Sequence, residues 1–239
     1  MKNVYLSIII PAYNEAKRLP LTLIDIDKKV REMDLESYEI LVVDDGSKDE
    51  TVEVTKRFLP IISNLKILES EKNHGKGAVV RKGMLEAHGA IRIFMDADNS
   101  TTIDQFLTMR PYFEEGAQVV IGSRDVKGAK LDPPQPFYKR ILGNMGNLFI
   151  QALVLPGIWD TQCGFKAFTA KAAEEIFSQT KVDRWAFDVE ALVLAKKMGY
   201  EIKEIPVHWV NDLRSRVKLS AYMQVLLETV SIWWRIKRK

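Results

Sequence analysis

Cysteine is nearly absent from this 239-residue chain: Cys163 stands alone. That excludes an intrachain disulfide framework and any cysteine-based zinc cluster, and it fits a reducing, cytosolic setting. The three histidines, His74, His88 and His208, show no metal-ligand spacing and are read as structural or surface groups. No run of about 18 apolar residues occurs, which argues against a transmembrane helix. The opening MKNVYLSIIIPAYNE has one Lys, a short apolar run broken by Pro11 and no small-residue cleavage site, so it is not expected to be a signal peptide. Neither G-x-S-x-G nor G-x-x-x-x-G-K-[ST] is present, and Cys163 has no protease-like context, which disfavours a nucleophilic hydrolase and a P-loop.

What is present is an ordinary globular balance, 46% apolar and 28% charged. At this size about 70% of the extended surface can be buried, enough for one large domain. The net charge of +3 is unevenly placed. Residues 211–239 hold seven Lys/Arg against two Asp/Glu, which leaves residues 1–210 at −2. A slightly acidic body does not suit a nucleic-acid reader, whereas the basic tail suits nucleic acid, an anionic membrane surface or solubility alone.

The first half repeats one theme: a β-branched run, a polar cluster, then an amphipathic stretch of about 12 to 16 residues. The runs are LSIII (6–10), EILVV (39–43), LKIL (65–68), IRIFM (91–95) and QVVIG (118–122). Such runs suit strands buried on both faces, and helical crossovers make the sheet mostly parallel, so the class is α/β. The polar clusters that follow them, PAYNE, DDGSKDET, EKNHGKG, DADNS and SRD, then converge on the carboxyl edge of the sheet, where open α/β sheets bind ligands. Residues 125–138, with three prolines, read as a long lid-like loop. Helices are expected over about 139–155, 170–178 and 184–199, with LPGIWDTQCGF as a turn and EIKEIPVHWV as one strand. The organisation expected is a domain over residues 1–216 and a basic amphipathic helix over 217–239.

Several acids in these clusters can carry chemistry. Asp96 and Asp98, at i and i+2 after a strand, project to one side if the extended geometry persists and can hold one divalent cation; oxygen ligands alone suit Mg²⁺ or Mn²⁺. Capping of the next helix is the competing account of that pair. Asp44 and Asp45 end the second strand beside a turn at Gly46, and Lys76 in NHGKG offers a cation near a helix start, next to glycines that allow close backbone approach.

The ordered set IPAYNE, VVDDGSKDET, NHGKG, MDAD, GSR, DTQCGFKAF, RWAFDVE and EIPVHW, followed by SRV, resembles the family 2 glycosyltransferases over nearly the whole chain. The match is nearest to their polyprenyl-phosphate branch, which includes dolichyl-phosphate β-glucosyltransferases and dolichol-phosphate mannose synthases. The resemblance implies a GT-A fold, a nucleotide-sugar donor, a divalent cation and inverting transfer to a polyprenyl phosphate. It places Pro11, Ala12, Tyr13, Glu15, Asp44 and Lys76 at the nucleotide, and Asp96, Ala97 and Asp98 at the diphosphate, with Asp96 and Asp98 on the metal. Arg124 and Arg140 are implied to face the acceptor phosphate, with Ser215 and Arg216 beside it. Asp188 and Glu190 in FDVE fall where other members place a base; here they act so, or orient arginines, or face water on a helix. Mannose synthases carry Gln where this chain has Ser100, which shifts weight to glucose from UDP-glucose, with GDP-mannose or a hydroxyl acceptor as alternatives. A lipid phosphate is already anionic and needs cations more than a base.

On the C-terminal segment Leu219, Met223, Leu226, Val230 and Trp233 share one helical face, and Gln224, Glu228, Ser231 and Arg235 another. Trp233 and Trp234, followed by Arg235, Lys237, Arg238 and Lys239, resemble an interfacial anchor, so a peripheral position on the cytoplasmic face of a membrane is expected. Packing on the domain's own core is the competing account, and homo-oligomerisation stays open.

Overall fold

The computed structural model describes residues 4–35, 37–133, 137–210 and 219–237. Five strands form at the five apolar runs: β1 Leu6–Ala12, β2 Tyr38–Asp44, β3 Leu65–Leu68, β4 Ile91–Met95 and β5 Val119–Ser123. Helices α1 Leu19–Glu32, α2 Thr51–Phe58, α3 Lys76–Glu86 and α4 Phe106–Glu114 connect them. Three of these helices fall short of the expected length, at 8, 11 and 9 residues for α2, α3 and α4. Pro60 lies just beyond α2, and Gly116 adopts φ +96° two residues past α4, a left-handed stop that glycine takes without strain.

The second half adds β6 Lys130–Asp132, α5 Phe137–Leu153, β7 Phe165–Thr169, α6 Ala170–Phe177, α7 Phe187–Lys197, β8 Ile202–Pro206, β9 His208–Val210 and α8 Leu219–Lys237. The main sheet has seven strands in the order β3-β2-β1-β4-β7-β5-β8. All pairings are parallel except those of β7, which runs antiparallel to both neighbours. Strand β7 starts within the segment expected as a turn. The expected single strand over 201–210 is also two: β8 stays in the main sheet, and β9 leaves it to pair with β6. Pro206 ends β8 because it has no N–H for the ladder, and Val207 then donates to Ser123 and accepts from Lys130 as the chain crosses over. The long loop therefore contains a strand, β6.

Two apolar clusters cover the sheet. Ile8, Ile10, Ile40, Val42 and Ile93 point to one face, whereas Ile9, Leu41, Val43 and Phe94 point to the other, the alternation a doubly covered sheet requires. Helix α8 belongs to the second cluster: Val225 and Ile232 are in it, and Ala221 and Thr229 are buried on the same side. Glu228 accepts from the backbone N–H groups of Trp185 and Ala186. The expected boundary at 216/217 lies outside the described residues. Of the apolar face read from the sequence, Met223 (56%) and Val230 (39%) are exposed, alongside Leu227 at 68% and Trp234 at 50%, whereas Leu226 and Trp233 are half-buried.

Candidate active site

The chain leaves β1 outward to β2 and β3 and returns to β4 on the other side of β1. That reversal opens a crevice at the carboxyl ends of β1 and β4, the usual ligand position in such sheets. A cavity of about 550 Å³ lies there, within the range of roughly 300–1,000 Å³ of small-molecule sites. Of the nine residues the family resemblance places at the donor, eight line it: Pro11, Ala12, Tyr13, Glu15, Lys76, Asp96, Ala97 and Asp98. Asp45 and Gly75, noted in the sequence for their place at a strand end and in the NHGKG turn, also line it, as do Arg18, Asn73, Arg184 and Trp185, which were not singled out from sequence.

Asp44 is the exception. It is buried, and its carboxylate accepts from the Ser47 backbone N–H at 2.9 Å and the Ser47 hydroxyl. Its neighbour Asp45 faces the cavity and accepts from Asn73 Nδ2 (2.8 Å) and the N–H groups of His74 (2.7 Å) and Gly75 (2.9 Å). Asp45 thus shapes the NHGKG loop from within. At Gly75, with φ +110°, a Cβ would lie 2.4 Å from Asp183 O, and at Gly77 one would lie 2.5 Å from Val182 O. These glycines press the loop against the segment before α7.

At the end of β4, Asp96 accepts from Lys76 Nζ at 2.5 Å. Asp98 accepts from Ser100 N at 3.0 Å and has Arg18 Nη1 at 3.7 Å. Burial and the nearby Asp96 push the Asp98 carboxyl above its ordinary value, with Ser100 and Arg18 pulling the other way. Arg18 itself is forked onto Glu15 through Nε and Nη2. A Cβ at Gly164 would lie 2.1 Å from Asp96 Oδ2, so the absent side chain is the space that the carboxylate occupies.

Arg124 is clamped rather than free. It donates to Asp160 through Nε (2.7 Å), Nη2 (2.9 Å) and its backbone N–H (3.0 Å), and its guanidinium lies 5.6 Å from the Trp209 ring centroid. Burial would raise the Asp160 carboxyl, but the charge and hydrogen bonds of Arg124 outweigh it and hold the group at about 2. A depressed folded value stabilises the protein above the unfolded value near 3.9, and this contribution disappears as pH falls toward 2. Asp160→Asn is therefore expected to flatten the loss of stability between about pH 4 and 2 in acid unfolding curves; an unchanged slope would remove the pair from acid sensitivity.

The FDVE acids are both buried, so neither faces water. Asp188, in the first turn of α7, pairs with Lys166 Nζ at 3.1 Å and is not among the cavity-lining residues. Lys166 lies on β7, is fully buried, donates to Cys163 O and sits 5.6 Å from the Phe94 ring centroid. Glu190 accepts from the N–H groups of Lys181 (2.7 Å) and Val182 (2.6 Å) and pairs with Arg235 of α8 at 2.7 Å. Of the acceptor-side residues, Arg140 is described only through its place on α5, and Ser215 and Arg216 lie outside the described residues.

The family model for glycosyl transferase family 2 matches residues 7–177. A dolichyl-phosphate beta-glucosyltransferase of Dictyostelium discoideum is 38% identical over 98% of this chain and 75% of its own length. The human protein of that name is 34% identical over 86% of this chain and 67% of its own length. Among solved structures, glucosyl-3-phosphoglycerate synthase of Mycobacterium tuberculosis, crystallised with Mn²⁺, UDP and phosphoglyceric acid, superposes with a TM-score of 0.69 at 17% identity, covering 96% of this chain and 77% of that one.

Proposed function

From the premise that this chain belongs to the family 2 glycosyltransferases and is a nucleotide-sugar-dependent enzyme with the GT-A fold, we propose that it transfers glucose from UDP-glucose to a polyprenyl phosphate of the dolichyl type. The observation that carries the acceptor class is the state of the FDVE acids. A hydroxyl acceptor needs a base to take its proton, but Asp188 is paired with buried Lys166, and Glu190 is committed to two amides and Arg235. A phosphate acceptor arrives as an anion and needs no base. The glucosyl group follows the names of the relatives and the Ser100 that stands where mannose synthases carry Gln.

The two carboxylates Asp96 and Asp98 suit a divalent cation, Mg²⁺ or Mn²⁺. They converge on the cavity, Gly164 leaves room for one of them, and among the described residues no third His, Cys, Asp or Glu joins them, so further positions are left to donor oxygens. When bound, such an ion neutralises charge that develops on the departing nucleoside diphosphate. Lys76, at the same end of β4 beside Asp96, would add a positive charge for the diphosphate. Asp45 holds the loop that presents Lys76. On the acceptor side Arg124, preset by Asp160, supplies a cation that need not be ordered during the reaction, and Arg140, Ser215 and Arg216 keep the acceptor roles implied by the resemblance.

A donor panel tests the reading. Radiolabelled UDP-glucose, but not GDP-mannose, is expected to label polyprenyl phosphate, and chelation should stop transfer. Lipid labelled from GDP-mannose would overturn the sugar, and efficient transfer to a hydroxyl acceptor would overturn the acceptor.

Residues 217–239 complete the reading as a basic helix attached to a catalytic unit of residues 1–216. No helix among the described residues is long and apolar enough to cross a membrane. The outward stripe of α8 and the exposed Met145, Leu148 and Phe149 of α5, on which α8 packs, support a peripheral position at a membrane surface, the cytoplasmic one in this reading. Lys237 lies 4.3 Å from the Trp233 ring centroid, so cation and aromatic groups sit together at the helix end. Replacing Leu227 and Trp234 by alanine is expected to leave the melting temperature unchanged and weaken binding to anionic liposomes, and binding by the parent should fall with salt. A lowered melting temperature with unchanged liposome binding would assign the stripe to protein packing instead.

A further inference from the structure

The carboxylates assigned to the divalent cation already have partners. Lys76 Nζ lies 2.5 Å from Asp96, and Arg18 Nη1 lies 3.7 Å from Asp98. Neither cation is a wandering surface group: Lys76 opens α3 behind Gly75, and Arg18 is aimed by its fork onto Glu15, three residues earlier in the turn before α1. Both cations also line the cavity, together with Asp96 and Asp98.

We propose that Arg18 and Lys76 are resident counter-cations of Asp98 and Asp96, which an entering divalent ion displaces and which the donor diphosphate then engages. The inference rests on the metal and nucleotide reading given above and adds Arg18 to the donor site. Its physical content is competition followed by exchange. A free divalent ion meets carboxylates already neutralised and must push two positive groups aside without bringing an anion to receive them. The anionic diphosphate supplies that receiver, so ion and nucleotide bind as a linked pair. Linkage makes the effect reciprocal: the factor by which UDP tightens the ion is the factor by which the ion tightens UDP.

The sign of the expected result separates this role from simple site building. Free Mn²⁺ can be followed by electron paramagnetic resonance, titrating intact protein alone and with UDP, and correcting the latter with a protein-free UDP titration. The parent is expected to bind Mn²⁺ at least about tenfold more tightly with UDP present, a coupling of about 1.4 kcal/mol. Arg18→Gln and Lys76→Gln should each bind Mn²⁺ alone more tightly than the parent by roughly threefold to tenfold, bind UDP alone more weakly, and lose most of the coupling. A residue that only builds the site would change metal affinity in the opposite sense, or leave it alone. If both variants remain folded by circular dichroism and bind Mn²⁺ alone no more tightly than the parent, the counter-cation role is overturned while the metal reading stands. If the parent binds no Mn²⁺ even with UDP, the metal reading fails first and takes this inference with it.

Discussion

Gly164→Ala is expected to lower kcat/KM by about 10²-fold or more while leaving the fold in place. The methyl group would occupy a point 2.1 Å from Asp96 Oδ2 and 2.4 Å from its Cγ. The obstacle is the mobile end of a side chain rather than backbone, so the structure relieves the clash by rotating the carboxylate out of position. Displacements of about 1 Å at a catalytic constellation cost about that factor in rate. The melting temperature should move by no more than a few degrees, because the lost contact is polar and local. Asp98→Asn is the companion: nearly isosteric, it removes charge without displacing anything, and it should also abolish transfer and weaken metal-dependent donor binding. Steady-state kinetics and thermal melts on both variants check this. Activity within about threefold of the parent in Gly164→Ala would mean that Asp96 does not need its observed position.

Lys166→Met should destabilise the protein by about 3–5 kcal/mol, because it strands a buried carboxylate. Asp188 is 4% exposed and its partner ammonium is fully buried. Burial already pushes the Asp188 carboxyl above its ordinary value, with Lys166 and then Lys76 opposing the rise. In a chain of this length the loss corresponds to a fall in melting temperature of roughly 6–20 °C. The double variant Lys166→Met/Asp188→Leu should recover most of the stability, since an apolar pair of similar volume is often as good as a buried ion pair. Urea or thermal unfolding of the two variants separates the outcomes. A single variant within about 1 kcal/mol of the parent would show that water or Lys76 satisfies Asp188 without Lys166.

The parts legible in the sequence are those governed by local patterning. Strands β1 to β5 sit where continuous β-branched runs predicted them, and the crevice forms where their polar successors converge. Strand β7 was hidden because its FKAFT carries a lysine at the second position, and the partner that lets Lys166 be buried, Asp188, lies on a later helix. The choice between Asp44 and Asp45 could not be made from adjacency alone; it depends on which side of the strand end faces β1 and which is taken by Ser47. Arg18 had a signal that was passed over, the Glu-x-x-Arg spacing that lets its side chain reach back to Glu15 across the turn before α1. For α8 the helix was legible from period, but the side that faces the body carries Val225, Thr229 and Ile232 rather than the stripe read from sequence, and it is set by Glu228 and Arg235 meeting the start of α7, which no hydropathy pattern encodes.

The insertion of β7 between β4 and β5 also sets an order of assembly. Synthesised from the N-terminus, β1, β2, β3 and β4 find one another as they emerge, since each pairs within that set. Strand β5 does not: its neighbours are β7 and β8, so the apolar segment from Val119 waits until the chain has passed Thr169 before its first sheet partner exists. During that interval an unpaired strand edge is exposed, the kind of surface on which partly made chains associate with one another. Closure of the sheet is therefore a late, long-range event, and the acid pair at the end of β4 acquires its Gly164 neighbour only when that event is complete.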